Sequence, residues 1–137
     1  MLNKSQIIKL PKISDPRGNL TFFENSKEVP FEIKRVFWIY DVPSGETRGG
    51  HAYHEQEEII IALSGSFDVV LTDLSGRTEK VNLNRPNYGI YLSPKTWRHM
   101  ENFSTNALSL HFSSSVYDAS DYVRDFNEFS ERVKKEV

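Results

Sequence analysis

The chain reads as an all-β barrel carrying one C-terminal α-helix, and three observations predict it. Turn residues recur about every 8–12 residues, the segments between them are rich in β-branched and aromatic side chains, and only the C-terminal stretch has a helical period. In order, the apolar or alternating segments are residues 6–10, 19–24, 34–41, 57–63, 66–72, 77–83, 89–92 and 107–112. Each but the last ends in turn chemistry: Asp15-Pro16-Arg17-Gly18, Asn25-Ser26, Pro43-Ser44-Gly45, Ser64-Gly65, Asp73-Leu74-Ser75-Gly76, Asn84-Arg85-Pro86-Asn87 and Ser93-Pro94. Alternation is clearest in Phe67-Asp68-Val69-Val70-Leu71-Thr72 and in Ala107-Leu108-Ser109-Leu110-His111-Phe112. Tyr122, Phe126, Phe129 and Val133 fall at i, i+4, i+7 and i+11, which predicts a helix over 118–135 lying on the barrel. Asp118, with Asp121 three residues on, resembles a cap at its start.

With 137 residues the chain is expected to form one domain, 1–137, large enough to bury a core without staples. It has no cysteine, which excludes a thiol nucleophile, a Cys-based metal site and a disulfide framework. The 17 basic and 19 acidic residues leave a net charge of −2, against the basic excess that nucleic-acid binding demands. The longest apolar runs, 36–40 and 59–63, are too short to cross a bilayer. The first residues, Met1-Leu2-Asn3-Lys4-Ser5, contain no apolar signal segment, so the cytoplasm is the expected compartment.

The histidines are His51, His54, His99 and His111. Gly45, His51, Glu58 and Gly65 match the cupin signature G-x5-H-x-H-x3-4-E-x6-G, with Tyr53 where the second His belongs. The second cupin signature, G-x5-P-x-G-x2-H, is looser: Pro94 and His99 fit, Thr96 replaces a Gly, and Gly89 is one residue too close. Side chains two apart on a strand share a face, so residues 51 and 53 line one surface, which a barrel interior lets His99 approach from a distant strand. A jelly-roll barrel of the cupin type is therefore the expected architecture. Arg48-Gly49-Gly50 beside His51 sets a cation next to backbone that a ligand can approach closely, which suits an anion. His54, on the opposite face, is expected to be solvated. His111, alternating with Leu110 and Phe112, is expected to be structural.

Over nearly its whole length the chain resembles the nucleotide-sugar 3,4-ketoisomerases, cupins that act on dTDP-4-keto-6-deoxyglucose. The resemblance is carried by Asp15-Pro16-Arg17-Gly18, residues 30–41 with Lys34-Arg35-Val36, Arg48-Gly49-Gly50-His51-Ala52, Leu63-Ser64-Gly65-Ser66, Gly89-Ile90-Tyr91, residues 97–104, and the tail from Tyr117 to Arg124. It implies a homodimer that exchanges N-terminal strands (within residues 1–25), works without metal or other cofactor, and supplies deoxyamino sugars for surface glycans. It also implies that an imidazole shuttles a proton between C3 and C4 through an enediol. His51 is the expected base, Tyr53 the donor or relay, and Arg48 the group holding the carbonyl or diphosphate. Arg17, Arg35, Arg98, Trp38 and His99 are the expected substrate contacts. Two features depart from the family pattern. Tyr53 stands where His is usual, and Arg occupies both 17 and 98, the positions associated with the C4 epimer formed.

Three other readings are open at this stage. His51, Glu58 and His99 offer two imidazoles and a carboxylate, the ligand types of a metal-dependent cupin. A sugar-nucleotide 3,5-epimerase also pairs a His base with a Tyr acid. A non-catalytic sugar-binding cupin would tolerate the loss of the second His.

Overall fold

A computed structural model describes residues 5–25 and 27–136, apart from the side chains of Val133, Lys135 and Glu136. Twelve strands are found among them: β1 (Gln6–Lys9), β2 (Lys12–Asp15), β3 (Gly18–Thr21), β4 (Arg35–Ile39), β5 (Arg48–Tyr53), β6 (Glu58–Ser64), β7 (Phe67–Thr72), β8 (Thr78–Leu83), β9 (Tyr88–Leu92), β10 (Trp97–Glu101), β11 (Leu108–Ser113) and β12 (Tyr122–Val123), followed by α1 (Phe126–Glu136). Two antiparallel five-stranded sheets, ordered β1-β9-β6-β11-β4 and β12-β5-β10-β7-β8, make the jelly-roll barrel, and β2-β3 form a separate hairpin.

Strand parity divides the side chains among three clusters. Ile60 and Ala62 of β6, Ile90 and Leu92 of β9, Phe67, Val69 and Leu71 of β7, Leu83 of β8 and Met100 of β10 meet between the two sheets. The intervening Ile59 and Ile61 of β6, with Phe112 of β11, point to the other side of their sheet and are covered by Ile8, Leu10, Val29 and Phe31. On the back of the second sheet, Ala52 and Val123 pack against Phe129 of α1, with Trp97 and Phe126 beside them. Each large apolar side chain buried in this way stabilises the fold by about 1.5–3 kcal/mol.

The helix differs from expectation at its start. It begins at Phe126, not 118, and Asp125 caps it by accepting from the Glu128 N–H at 3.0 Å. Residues 119–121 form a single 3₁₀ turn capped by Asp118, and Tyr122 belongs to a strand, because its backbone pairs with Tyr53. The remainder of the predicted stripe holds in part: Phe126 and Phe129 face the barrel, while Val133 lies outside the described side chains. Among the described residues no helix is long and apolar enough to cross a membrane.

Candidate active site

The inward face of β5 carries His51 and Tyr53, both buried. Their neighbour β10 brings Arg98 directly opposite His51, and Met100 opposite Arg48. Three steps on β5 thus match two on β10, and Gly49, at φ +72°, sits in this irregularity. A Cβ there would stand 3.2 Å from Met100 Cε and 3.7 Å from His51 Cε1, in a conformation strained for any L side chain. Gly49 therefore serves to seat His51 against β10.

The other edge of β5 pairs with β12, setting Tyr122 opposite Tyr53. The three rings of His51, Tyr53 and Tyr122 pack together, with centroids 4.9, 5.1 and 4.7 Å apart. Asp121 anchors this tail: its carboxylate accepts the Glu55 and Gln56 N–H groups at 2.9 and 3.1 Å. From the facing sheet, Arg35 of β4 donates to Gln56 Oε1 at 3.2 Å and to Tyr122 Oη at 3.3 Å, and Arg124 lies over the Tyr122 ring. Arg98 stacks on the Tyr53 ring at 4.9 Å and donates to His51 Nε2 at 3.0 Å and to Glu58 Oε2 at 2.6 Å. Glu58 Oε1 in turn accepts from His111 Nδ1 at 2.5 Å.

These contacts set the protonation states. Burial, reinforced by the Arg98 charge and opposed by Glu58, lowers His51 to about 3, so the imidazole is neutral at neutral pH. Burial raises the Tyr53 phenol, and the Glu58 charge adds to it, so the group remains a hydroxyl donor. Burial alone would raise Glu58, but Arg98 and the His111 hydrogen bond outweigh it and hold the carboxylate ionised. Two buried polar atoms in this region have no hydrogen-bond partner, Tyr53 Oη and Arg35 Nε. An unmet buried donor costs about 1–3 kcal/mol, which an oxygen-bearing ligand between these groups would relieve.

The structure brings His51, Tyr53, Arg35 and Arg98 together and leaves four expected site residues elsewhere. His99 is one position off: it points out of the barrel, away from Arg98, and bonds Glu101 at 2.7 Å. The His51/Glu58/His99 ligand set is therefore not assembled, because Arg98 stands between the first two. No group of three or more His, Asp or Glu among the described residues is placed to hold a metal ion. Trp38 is 56% exposed, on the outer side of β4, since Arg35, Phe37 and Ile39 take the inward positions. Arg17 sits at the tip of the β2-β3 hairpin, 91% exposed in its side chain and paired with Asp15 at 2.9 Å. Arg48 is exposed and lines a shallow depression with Tyr40, Asp41, Val42 and Pro43; the guanidinia acting on His51 are those of Arg98 and Arg124, while Arg35 reaches the neighbouring Tyr122. His111 is structural as expected, buried and stacked on Phe37 at 4.4 Å. His54, half-buried, meets Arg132 of α1 at 2.6 Å. Sequence reasoning missed Tyr122, Arg124 and Gln56; the tail from Tyr117 to Arg124 was the signal for the first two, and nothing marked Gln56.

A family model described as FdtA: WxcM-like, C-terminal, matches residues 3–134. The chain belongs to the FdtA family. It is 35% identical over 132 residues, 96% of this chain and 94% of the relative, to TDP-4-oxo-6-deoxy-alpha-D-glucose-3,4-oxoisomerase of Aneurinibacillus thermoaerophilus. Among solved structures it is similar to the WlaRB TDP-quinovose 3,4-ketoisomerase from Campylobacter jejuni, with 44% identity and a TM-score of 0.89 over 95% of this chain and 99% of that one. It is similar also to QdtA, a sugar 3,4-ketoisomerase from Thermoanaerobacterium thermosaccharolyticum in complex with TDP, with 34% identity and a TM-score of 0.94 over 99% and 98%. These relatives are named as 3,4-oxoisomerases or 3,4-ketoisomerases, and the two solved structures share the fold of this chain. Their names match the 3,4-ketoisomerase reading rather than a 3,5-epimerase or a metal-dependent cupin.

Proposed function

We propose that this FdtA-family chain is a sugar-nucleotide 3,4-ketoisomerase that converts dTDP-4-keto-6-deoxyglucose into a dTDP-3-keto-6-deoxyhexose, for deoxyamino sugars of surface glycans. The observation that carries the proposal is a neutral, buried imidazole beside a buried phenol with no partner, ringed by guanidinia. His51 takes the proton from C3; the C3–H electron pair forms the C3=C4 double bond, and the C4 carbonyl oxygen becomes an enolate. That oxygen gains a proton, the C3 hydroxyl gives one up as its oxygen reforms a carbonyl, and C4 is protonated. Atoms and charge balance with no oxidant or cofactor. Tyr53 donates to the enolate oxygen or relays its proton, and Arg98 and Arg35 counter the developing charge in a water-poor interior. Arg48, exposed as it is, is assigned the outer part of the substrate, the diphosphate.

The chain is proposed to work as one domain, 1–137, in a cytoplasmic homodimer with exchanged N-terminal strands, through which Arg17 would join a site. Light scattering should give twice the chain mass. NMR of dTDP-4-keto-6-deoxyglucose incubated with the protein in D₂O should show a 3-keto product with deuterium at C4. Deuterium at C5 would identify an epimerase, and binding without turnover a sugar-binding cupin; either would overturn the proposal.

A further inference from the structure

Behind the proposed base lies an ion pair of which the reaction above uses only Arg98, leaving Glu58 without a role. The Glu58 and Arg98 side chains are 1% and 4% exposed. Burying two such ions costs several kcal/mol each, and well-packed apolar residues usually stabilise as well or better, so stability does not account for the pair. Its geometry does. One nitrogen of Arg98 carries two hydrogens, directed at Glu58 Oε2 (2.6 Å) and His51 Nε2 (3.0 Å). A guanidinium has no acceptor, so Nε2 must be the acceptor and the ring hydrogen of His51 lies on Nδ1. Glu58 is fixed in turn: its other oxygen takes the His111 Nδ1–H, His111 Nε2 meets Ser109 Oγ at 2.9 Å, and the His111 ring stacks on Phe37.

We propose that Glu58 is a positioning residue for the base: clamped by His111, it holds Arg98 against His51 and thereby selects the tautomer whose Nε2 bears no hydrogen. The proposal rests on His51 being the base of the reaction above. An arriving keto oxygen competes with Nε2 for the Arg98 hydrogen and draws it more strongly as it becomes an enolate. The Nε2 lone pair is then released toward the C3 proton. Glu58 touches no reacting atom and acts only through Arg98.

The test uses the full chain with ¹⁵N-labelled histidine, as wild type, Glu58→Gln, Arg98→Met, the double variant and His111→Phe. In wild type the His51 Nε2 resonance should be that of a lone-pair nitrogen, and in Glu58→Gln it should move toward the N–H value. Turnover of Glu58→Gln should fall about 10- to 100-fold with little change in KM, the usual cost of removing a group that orients a site residue. The double variant should be no slower than Arg98→Met alone. His111→Phe, which keeps Glu58 and the stack on Phe37, should shift Nε2 in the same direction by less, and it keeps the test alive if Glu58→Gln does not fold. An unmoved His51 tautomer in the variants that fold, or losses in the double variant that multiply, would overturn the assignment. The tautomer is read without substrate. An inactive wild type whose Nε2 nevertheless shifts on substitution faults the proposed reaction and leaves the positioning role standing.

Discussion

Two halves of one barrel interior differ in what fills them. In one, Phe67, Val69, Leu71, Leu83, Ile90 and Leu92 form an apolar cluster. In the other, Glu58, Arg98, His111, Gln56, Ser113, His51 and Tyr53 are equally buried and are polar or charged. Strands β6 and β10 run through both: two residues along β6 the inward side chain changes from Glu58 to Ile60, and along β10 from Arg98 to Met100. The backbone is the same kind of ladder in each. The difference therefore lies in the side chains, and the apolar half supplies the stability that lets the polar half retain groups costly to bury.

The strongest way to break this division is to replace one residue from each half. His51→Asn should lower turnover by a factor on the order of 10² to 10⁴, the usual contribution of a general base, while its unfolding curve stays close to wild type. Steady-state kinetics beside urea denaturation check both. Phe67→Ala should do the reverse. It should destabilise by about 3–5 kcal/mol through the cavity it leaves, with turnover of the remaining folded protein near wild type at low temperature. A Phe67→Ala protein that is stable but slow would show that the two halves are not separable.

The same division governed what could be read from the residues. β7 and β11 were legible because apolar residues recur at every second position, Phe67, Val69 and Leu71 in one and Leu108, Leu110 and Phe112 in the other, although in β11 the intervening Ser109, His111 and Ser113 are the more deeply buried. β5 and β10 were not legible by pattern, since their inward residues are His, Tyr and Arg; only motif spacing marked them. That spacing pointed to His99, whereas strand parity turns Arg98 and Met100 inward and His99 out. Thr96 in place of a Gly and the short interval from Gly89 to Pro94 were the signs that this chain departs from the second motif. Trp38 failed for the same reason, one step of β4 from the inward Arg35 and Phe37. Tyr122 fitted a helical stripe because Phe126 and Phe129 follow it at the right intervals. Its backbone hydrogen bonds go to β5, a long-range pairing that local periodicity does not encode.

A smaller effect separates the halves by pH. In the unfolded chain His51 titrates near 6.5, and in the fold near 3. Between those values the unfolded state binds the extra proton, so stability rises with pH. The contribution is fully present above about 6.5 and is lost progressively as pH falls toward 3. From pH 7 to 5 the wild type should lose about 2 kcal/mol more than His51→Asn does, read from denaturation midpoints at each pH. In kcat/KM, the acid limb of the free enzyme should fall well below pH 6.5. A limb at 6.5 would mean that His51 is not held neutral by burial and Arg98.

Tyr53→Phe sharpens the comparison most finely, because it removes one oxygen from the polar half and alters nothing else. In the fold that oxygen is buried without a hydrogen-bond partner, whereas in the unfolded chain it is hydrated. Deleting it should therefore stabilise the protein by about 1 kcal/mol, while turnover falls on the order of tenfold through loss of the donor to the enolate. A variant that is more stable and slower is the signature of a group kept for chemistry at a cost in folding. A variant that is less stable would mean that the phenol has a partner in the folded protein. One that is more stable and fully active would reduce Tyr53 to a wall of the cavity and leave Arg98 and Arg35 as the groups facing the developing charge.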